Sequence, residues 1–134
     1  MKPGAKKRSV LVVDDEASVL MTYKLILEQQ GYDVVAAPTS KVAIEAVNSR
    51  SFDLVLCDFS LEQQHSGFEV IEVARKKNPD VPCVLLTGYA TLETADQAKQ
   101  KGIEVLFKPI DIAEFLNTTA VLLRSDNEPI KEND

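Results

Sequence analysis

Short apolar runs alternate along the chain with segments in which apolar residues recur every three or four positions. The runs lack polar alternation, which is typical of strands buried on both faces of a parallel sheet. The periodic segments have the spacing of amphipathic helices. The pattern predicts strands at residues 9–13, 32–37, 52–58, 81–86 and 103–107. It predicts helices at residues 16–30, 39–49, 67–77, 91–101 and 111–124.

Several predicted helices begin or end at residues that favour a helix boundary. Thr39 or Ser40 can cap the second helix, and Gly31 ends the first. Helical spacing places apolar residues on one side of the second, fourth and last helices. They are Val42, Ala43, Ala46 and Val47 on the second, Leu92, Ala95 and Ala98 on the fourth, and Ile112, Phe115, Leu116, Thr119 and Leu123 on the last. Because the fourth helix has only a weak apolar stripe, we expect it to be a mobile element.

Strands that alternate with helices through short connections favour an open parallel sheet with helices on both faces. In such sheets, ligands bind beyond the carboxyl ends of the strands. Polar residues stand at four of these ends, namely Asp14 and Asp15 after the first strand, Asp58 after the third, Thr87 after the fourth and Lys108 after the fifth. We therefore expect these five side chains to lie along one rim.

Three carboxylates, a hydroxyl and an ammonium at one rim suit a particular chemistry. Clustered carboxylates repel each other unless a cation lies among them, and their oxygens suit Mg²⁺. A carboxylate beside Mg²⁺ can attack phosphorus to form an aspartyl phosphate, whose oxygens Lys108 and Thr87 can bind. Asp58 is the favoured nucleophile because it ends a central strand singly, but these considerations leave Asp14 and Asp15 open.

Composition narrows the functional classes. A chain of 134 residues with 45% hydrophobic residues suits one domain, which we place at 9–124, between a flexible basic N terminus at 1–8 and a polar, disordered tail at 125–134. A net charge of −6 argues against direct nucleic-acid binding. No apolar run approaches the ~20 residues of a membrane span, so we predict no membrane association and a cytoplasmic location. Cys57 and Cys83 are interpreted as core residues, not zinc ligands.

Five segments, in this order and spacing, carry a resemblance to a known family. They are VLVVDDE at residues 10–16, LVLCDFSL at 54–61, SGFEV at 66–70, VLLTGYA at 84–90 and FKPI at 107–110. In these segments the chain resembles the receiver domains of response regulators, the phosphoaspartate switches of two-component signalling.

The resemblance implies a fold and a set of site residues. The fold is a flavodoxin-like (βα)5 arrangement, a doubly wound five-stranded parallel sheet in the order 2-1-3-4-5. The implied roles are Asp58 as phosphoacceptor, Asp15 as direct Mg²⁺ ligand with Asp14 supporting it, Ser60 as a ligand through its backbone carbonyl, Thr87 as switch hydroxyl, and Lys108 as phosphate partner with a cis bond to Pro109.

The chain departs from the family pattern in two places. After Asp58, Glu62 replaces the usual proline and Gly67 comes one residue later than usual, so we expect a differently shaped lip on the site. The position of the family's switch aromatic is Val105, which cannot rotate as a ring does. We hypothesise that Phe107 or Tyr89 takes over part of that role; the alternative is that both rings serve packing.

Three functions compete. The first is a signalling switch that accepts a phosphoryl group on Asp58 from a histidine kinase or histidine phosphotransfer protein. Phosphorylation alters a surface that a downstream effector protein or domain recognises. Such a switch is not an enzyme beyond self-phosphorylation and slow autodephosphorylation. The second is a scaffold that binds a partner constitutively. The third, a phosphatase or nucleotide-binding enzyme, lacks GxxxxGK, GxGxxG and DxDx[TV] signatures. His65 is interpreted as an exposed loop residue without a catalytic role.

Overall fold

The computed structural model describes residues 7–88 and 91–124, which form five strands and five α-helices in alternation. The elements are β1 (Ser9–Val13), α1 (Ala17–Gln29), β2 (Asp33–Ala37), α2 (Ser40–Ser49), β3 (Leu54–Asp58), a short 3-10 turn (Glu62–Gln64), α3 (Gly67–Lys77), β4 (Cys83–Thr87), α4 (Leu92–Gln100), β5 (Glu104–Phe107) and α5 (Ile112–Leu122).

The strands form one parallel sheet in the order β2-β1-β3-β4-β5. The predicted fold class and strand order are therefore confirmed. Because every strand runs in the same direction, all five carboxyl ends lie at one edge of the sheet. The order reverses between β1 and β3, which is where sheets of this kind bind ligands.

The sheet separates two hydrophobic clusters. Leu11, Val55 and Leu85 point to the face covered by α2 and α3, whereas Leu56 and Leu86 point to the face covered by α1 and α5. β1, β3 and β4 are buried at every position. Burial on both faces explains the unbroken apolar runs in the sequence.

Three of the residues assigned to the apolar sides of these helices are exposed, whereas Phe115 of the same sets is buried. Val42, Leu92 and Ile112 are 38%, 88% and 41% exposed. On α4, the buried residue is Ala98, and at 100° per residue Leu92 lies about 120° around the helix from it. Apolar spacing alone did not show which side of a short helix the sheet would cover.

The two cysteines, Cys57 and Cys83, are free and buried, as predicted. Among the helices of the described residues, none has the length and apolar character that crossing a bilayer requires. The predictions for residues 1–6 and 125–134 lie outside the described residues, and the proposed domain boundaries stay predictions.

Candidate functional site at the carboxyl edge of the sheet

Asp14 is held in place by the backbone around it. It directly follows β1 and is fully buried. Its N–H donates to the carbonyl of Ala37 at the end of β2, at 3.2 Å. Its carboxylate Oδ1 accepts from the N–H of Glu16 at 2.8 Å. These contacts fix the direction of the carboxylate before any ligand arrives.

The structure brings three predicted site residues together. One carboxylate oxygen from each of Asp14, Asp15 and Asp58 lies within 4.8 Å of the others. Asp14 and Asp58 are buried, whereas Asp15 is exposed to solvent. Hard oxygen donors in a partly open cluster are what Mg²⁺ uses when it keeps several of its waters. The donor set therefore fits a magnesium ion.

Lys108 supplies the positive charge beside two of these carboxylates. Its Nζ lies 3.3 Å from Oδ2 of Asp58 and 3.5 Å from Oδ2 of Asp14. The Lys108 side chain is about one quarter exposed, so the ammonium faces the rim. Among the described residues of the rim, one ammonium and three carboxylates leave an excess of negative charge.

Burial and neighbouring charges shift the pKa values of Asp58 and Lys108 in opposite directions. Burial raises the pKa of the Asp58 carboxyl, and the Lys108 ammonium only partly offsets that rise. Burial alone would lower the pKa of Lys108, but the carboxylates of Asp58 and Asp14 outweigh it and raise that pKa. Lys108 is therefore stabilised in its charged form, and ionisation of Asp58 is less favourable than that of a carboxyl in water.

Thr87 and Lys108 are joined through the backbone. Thr87 is buried at the end of β4, and its carbonyl accepts from the N–H of Lys108 at 2.8 Å. The register pairs Thr87 with Phe107, so Lys108 follows directly after the last pair of β4 and β5. The Lys108–Pro109 peptide bond is cis, as the resemblance implied.

The two ends of the loop after β3 lie side by side, and we refer to this paired segment at Ser60 and Ser66 as the neck. The Ser60 N–H acts to lower the pKa of the Asp58 carboxyl, although burial outweighs it. Ser60 also forms an isolated antiparallel bridge with Ser66, and the Leu61 N–H donates to the carbonyl of His65 at 2.9 Å. Between these pairs, the loop makes a tight turn at its outer end.

The lip of the site contains a tight turn with unusual backbone angles, and the expectation that its shape differs from that of the family stays a prediction. Gln63 and Gln64 both adopt left-handed backbone conformations, with φ of 52° and 66°. Their turn lies between the end of β3 and Gly67. His65, beside this turn, is exposed, and its Nδ1 lies 3.0 Å from Oε2 of Glu69.

Gly67 is required by close approach to the site. A Cβ at this position would lie 2.5 Å from the backbone oxygen of Asp58 and 2.9 Å from Cδ2 of Leu85. The sequence showed only that this glycine is displaced by one residue. The crowding comes from β3 and β4, so no local pattern around Gly67 indicates it.

A second feature escaped sequence reasoning: the carboxylate of Glu62 accepts from Ser40, the first residue of α2. The Ser40 N–H donates to Oε1 at 3.0 Å and to Oε2 at 3.1 Å, and the Ser40 hydroxyl donates to Oε2 at 2.7 Å. We refer to these contacts as the Ser40–Glu62 clasp. No local pattern reveals it, since 22 residues separate its partners.

Val105 stands at the position where the family has its switch aromatic. Val105 is partly buried and packs against the cluster on the α2 and α3 face. Phe107 is 56% exposed, so its ring does not serve core packing. Tyr89 lies outside the described residues. The hypothesis that one of these rings replaces the family aromatic stays a prediction.

With this geometry established, the chain can be compared with known proteins. A family model described as the response regulator receiver domain matches residues 10–120. The chain is 36% identical over 114 residues to the transcriptional regulatory protein ZraR of Escherichia coli O157:H7, covering 84% of the chain and 25% of that protein. It is 30% identical over 127 residues to the response regulator protein PilR of Pseudomonas aeruginosa, covering 94% of the chain and 28% of that protein. The chain spans about a quarter of the length of these relatives.

Solved structures show the same similarity in three dimensions. A CheY-like response regulator receiver domain protein from Methanospirillum hungatei JF-1 superposes with a TM-score of 0.82 at 30% identity, covering 88% of this chain and 94% of that one. A response regulator receiver protein from Sinorhizobium medicae WSM419 superposes with a TM-score of 0.78, also at 30% identity, covering 88% and 95%.

Proposed function

The chain belongs to the response regulator receiver domains of two-component systems, and from that premise we propose that it is a switch phosphorylated on Asp58. The phosphoryl donor is a histidine kinase or a histidine phosphotransfer protein. The observation that carries the proposal is the convergence of the Lys108 ammonium, the Ser60 amide and two further carboxylates on Asp58.

Accessibility and charge together favour Asp58 over its two acidic neighbours as the nucleophile. The Asp14 side chain has no exposed surface, and its Oδ1 is already engaged by the Glu16 amide. Asp15 is exposed, and Lys108 contacts Asp14 and Asp58 but not Asp15. The Asp58 side chain is 10% exposed and adjoins the ammonium, so it combines access with charge stabilisation.

In the proposed reaction, a carboxylate oxygen of Asp58 attacks phosphorus and forms an O–P bond. The P–N bond to the donor histidine breaks, and its electron pair leaves with the imidazole. Lys108 pairs with a phosphoryl oxygen, and the Thr87 hydroxyl hydrogen-bonds another. Slow hydrolysis of the aspartyl phosphate resets the switch, so the protein is not an enzyme acting on a separate substrate.

Mg²⁺ fits the same site and would be held by Asp14, Asp15, Asp58 and the backbone carbonyl of Ser60. When bound, it neutralises the charge that approaches and develops at the phosphoryl group. The chain itself contributes orientation, because the Glu16 amide fixes Asp14 and the Lys108 ammonium holds Asp58.

The proposed output is a change in a protein-binding surface. Phosphorylation adds about −1.5 to −2 charge at the rim, beside Thr87 and Lys108. α4 follows β4 and buries only Ala98, so little packing opposes its movement. A downstream effector protein or domain would read this surface, and Phe107, exposed at the end of β5, is a candidate reporter.

The test compares Asp58→Asn with Asp80→Asn, which changes an exposed turn residue. Each protein is incubated with Mg²⁺ and a phosphoramidate donor, and acid-labile phosphate is located by mass spectrometry. We expect the wild type and Asp80→Asn to acquire one phosphoryl group and Asp58→Asn to acquire none. Phosphorylation of Asp58→Asn at the wild-type rate would contradict the assignment.

Val105 supports a second candidate, a scaffold that binds its partner constitutively. A partly buried valine cannot swing between two positions as the family aromatic does. Beryllofluoride with Mg²⁺, a phosphoryl mimic, separates the two functions. Amide resonances of α4 and β5 that shift on its binding support the switch, whereas mimic binding without any shift supports the scaffold.

A further inference from the structure

The Ser40–Glu62 clasp exceeds what α2 needs for its own capping. Ser40 is the first residue of α2, and its N–H has no partner within the helix. A carboxylate at a helix N terminus is favoured by the helix dipole. However, the hydroxyl of Thr39 already accepts from the Val42 N–H at 3.1 Å, as a normal cap does. Glu62 is therefore an additional acceptor that arrives from a distant loop.

The loop that carries Glu62 has an unfavourable backbone. Gln63 and Gln64 occupy the left-handed region, which non-glycine residues seldom adopt. Such conformations persist where the surroundings fix them. The surroundings here are the neck at Ser60 and Ser66 on one side and the Ser40–Glu62 clasp on the other.

The clasp spans the candidate site. β2 and β3 lie on either side of β1 in the sheet, Ser40 follows β2, and Glu62 follows β3. The contact between them therefore bridges the carboxyl end of β1, where Asp14 lies. On the α2 side, Ala37, three residues before Ser40, accepts from the Asp14 N–H.

The other side of the clasp leads to Asp58. Glu62 is two residues from Ser60, whose N–H favours the charged form of the Asp58 carboxylate. Leu61 between them is buried and hydrogen-bonded to His65, so this short segment has little freedom. A displacement of Glu62 is therefore passed to the Ser60 amide.

We propose that Glu62 is a positioning residue for the phosphoacceptor site, because its hold on Ser40 fixes the loop that presents the Ser60 amide to Asp58. The inference rests on the proposed function, since it gives Glu62 a role in Mg²⁺ and phosphoryl binding. A proline at this position would restrain the loop by fixing φ. In this chain, hydrogen bonds to α2 supply the restraint.

Two variants remove the clasp from opposite sides. Glu62→Ala removes the acceptor. Ser40→Pro removes both donors, and proline is well tolerated at the first position of a helix. Thr39 already has the extended backbone that precedes a proline, with φ of −142° and ψ of 160°. Glu72→Ala, a change of an exposed glutamate on α3, is the matched control.

The readouts are the Mg²⁺ affinity, from a titration followed by amide NMR, and hydrogen exchange of the Ser60 amide without Mg²⁺. We expect Glu62→Ala and Ser40→Pro each to weaken Mg²⁺ binding by about 10-fold, as loss of an orienting outer contact does. We expect Ser60 to exchange faster in both. Because both changes break the same contact, the double variant is expected to bind Mg²⁺ as tightly as either single variant. Glu62→Gln, which retains one acceptor, is expected to lose less.

Wild-type Mg²⁺ affinity and Ser60 exchange in both clasp variants would overturn the role of Glu62. Phosphorylation of Asp58 in the wild type would still stand in that case. An equal loss in Glu72→Ala would also overturn it, since the effect would then reflect charge alone. A wild-type protein that binds no Mg²⁺ and accepts no phosphoryl group would overturn the proposed function itself.

Discussion

The two edges of the sheet carry similar residues but differ in how their charges are neutralised. At the amino edge, Nη2 of Arg50 donates to the Ser9 hydroxyl at 2.6 Å and to Oδ2 of Asp33 at 3.0 Å. Oδ2 of Asp53 accepts from the Ser9 N–H at 2.8 Å. At the carboxyl edge, three carboxylates cluster, and the Lys108 ammonium pairs with two of them, Asp14 and Asp58.

The difference shows why a carboxylate at a strand end does not by itself indicate a site. Asp33 and Asp53 stand at the amino ends of β2 and β3, as Asp14 and Asp58 stand at the carboxyl ends of β1 and β3. Asp33 pairs with the Arg50 cation and Asp53 with the Ser9 amide, whereas Asp14 and Asp58 share the Lys108 ammonium. The second two are buried with a negative excess, so a metal cation and the phosphoryl group it accompanies can complete the carboxyl edge.

The largest expected effect comes from removing the cation of the carboxyl edge. Lys108→Met leaves Asp14 and Asp58 buried without a positive partner. Breaking a fully buried pair costs 3–5 kcal/mol, and because Lys108 is partly exposed we expect a loss of about 2–3 kcal/mol in the free energy of unfolding. Urea denaturation in EDTA measures it. Adding Mg²⁺ should restore part of the loss.

The matched change at the amino edge is Arg50→Met. Arg50 and Asp33 are 41% and 51% exposed, so solvent screens their pairing. We expect a loss of no more than about 1 kcal/mol, and no recovery with Mg²⁺. An Arg50→Met loss as large as that of Lys108→Met would remove the contrast between the edges.

A smaller effect is expected from crowding the carboxyl edge. Gly67→Ala places a Cβ against the backbone oxygen of Asp58, which we expect to cost about 2 kcal/mol and to weaken Mg²⁺ binding. Gly88→Ala is the control, because its nearest contact would be Cβ of Lys108 at an ordinary 3.7 Å. Thermal unfolding and a Mg²⁺ titration of both variants measure the difference. Equal stability of the two proteins would show that the contact at Gly67 relaxes freely.

The smallest effect is a pH dependence of the gap in stability between Asp58→Asn and the wild type, measured by urea denaturation without Mg²⁺. Burial raises the folded-state pKa of Asp58 above its ordinary value. The folded wild type therefore binds this proton more readily than the unfolded chain, and its stability falls as pH rises from the ordinary value through the folded-state pKa. Asn does not titrate, so the gap in favour of Asp58→Asn should widen from pH 4 to pH 7.

Saturating Mg²⁺ supplies the control for this pH series. A bound cation favours the ionised carboxylate, so the wild type should then gain stability relative to Asp58→Asn as pH rises. A gap that stays constant without Mg²⁺ would mean that burial of Asp58 has no measurable cost.

The sequence by itself determined the five pairs of strand and helix and which residues lie at the carboxyl edge of the sheet. Unbroken apolar runs such as the one before Asp58 exist because β1, β3 and β4 are buried on both faces. The residues that follow such runs in a parallel sheet must lie at one edge, so Asp14, Asp58 and Lys108 could be placed together from their positions in the chain.

Only the tertiary structure decided how that rim is held and which helix faces are covered. The Ser40–Glu62 clasp joins residues 22 positions apart, and Gly67 is constrained by the backbone of Asp58 on another element. Leu92 is exposed because the sheet covers a different side of α4. Periodicity reports which residues share a side of one element, whereas these features depend on the distance between elements, which no local pattern contains.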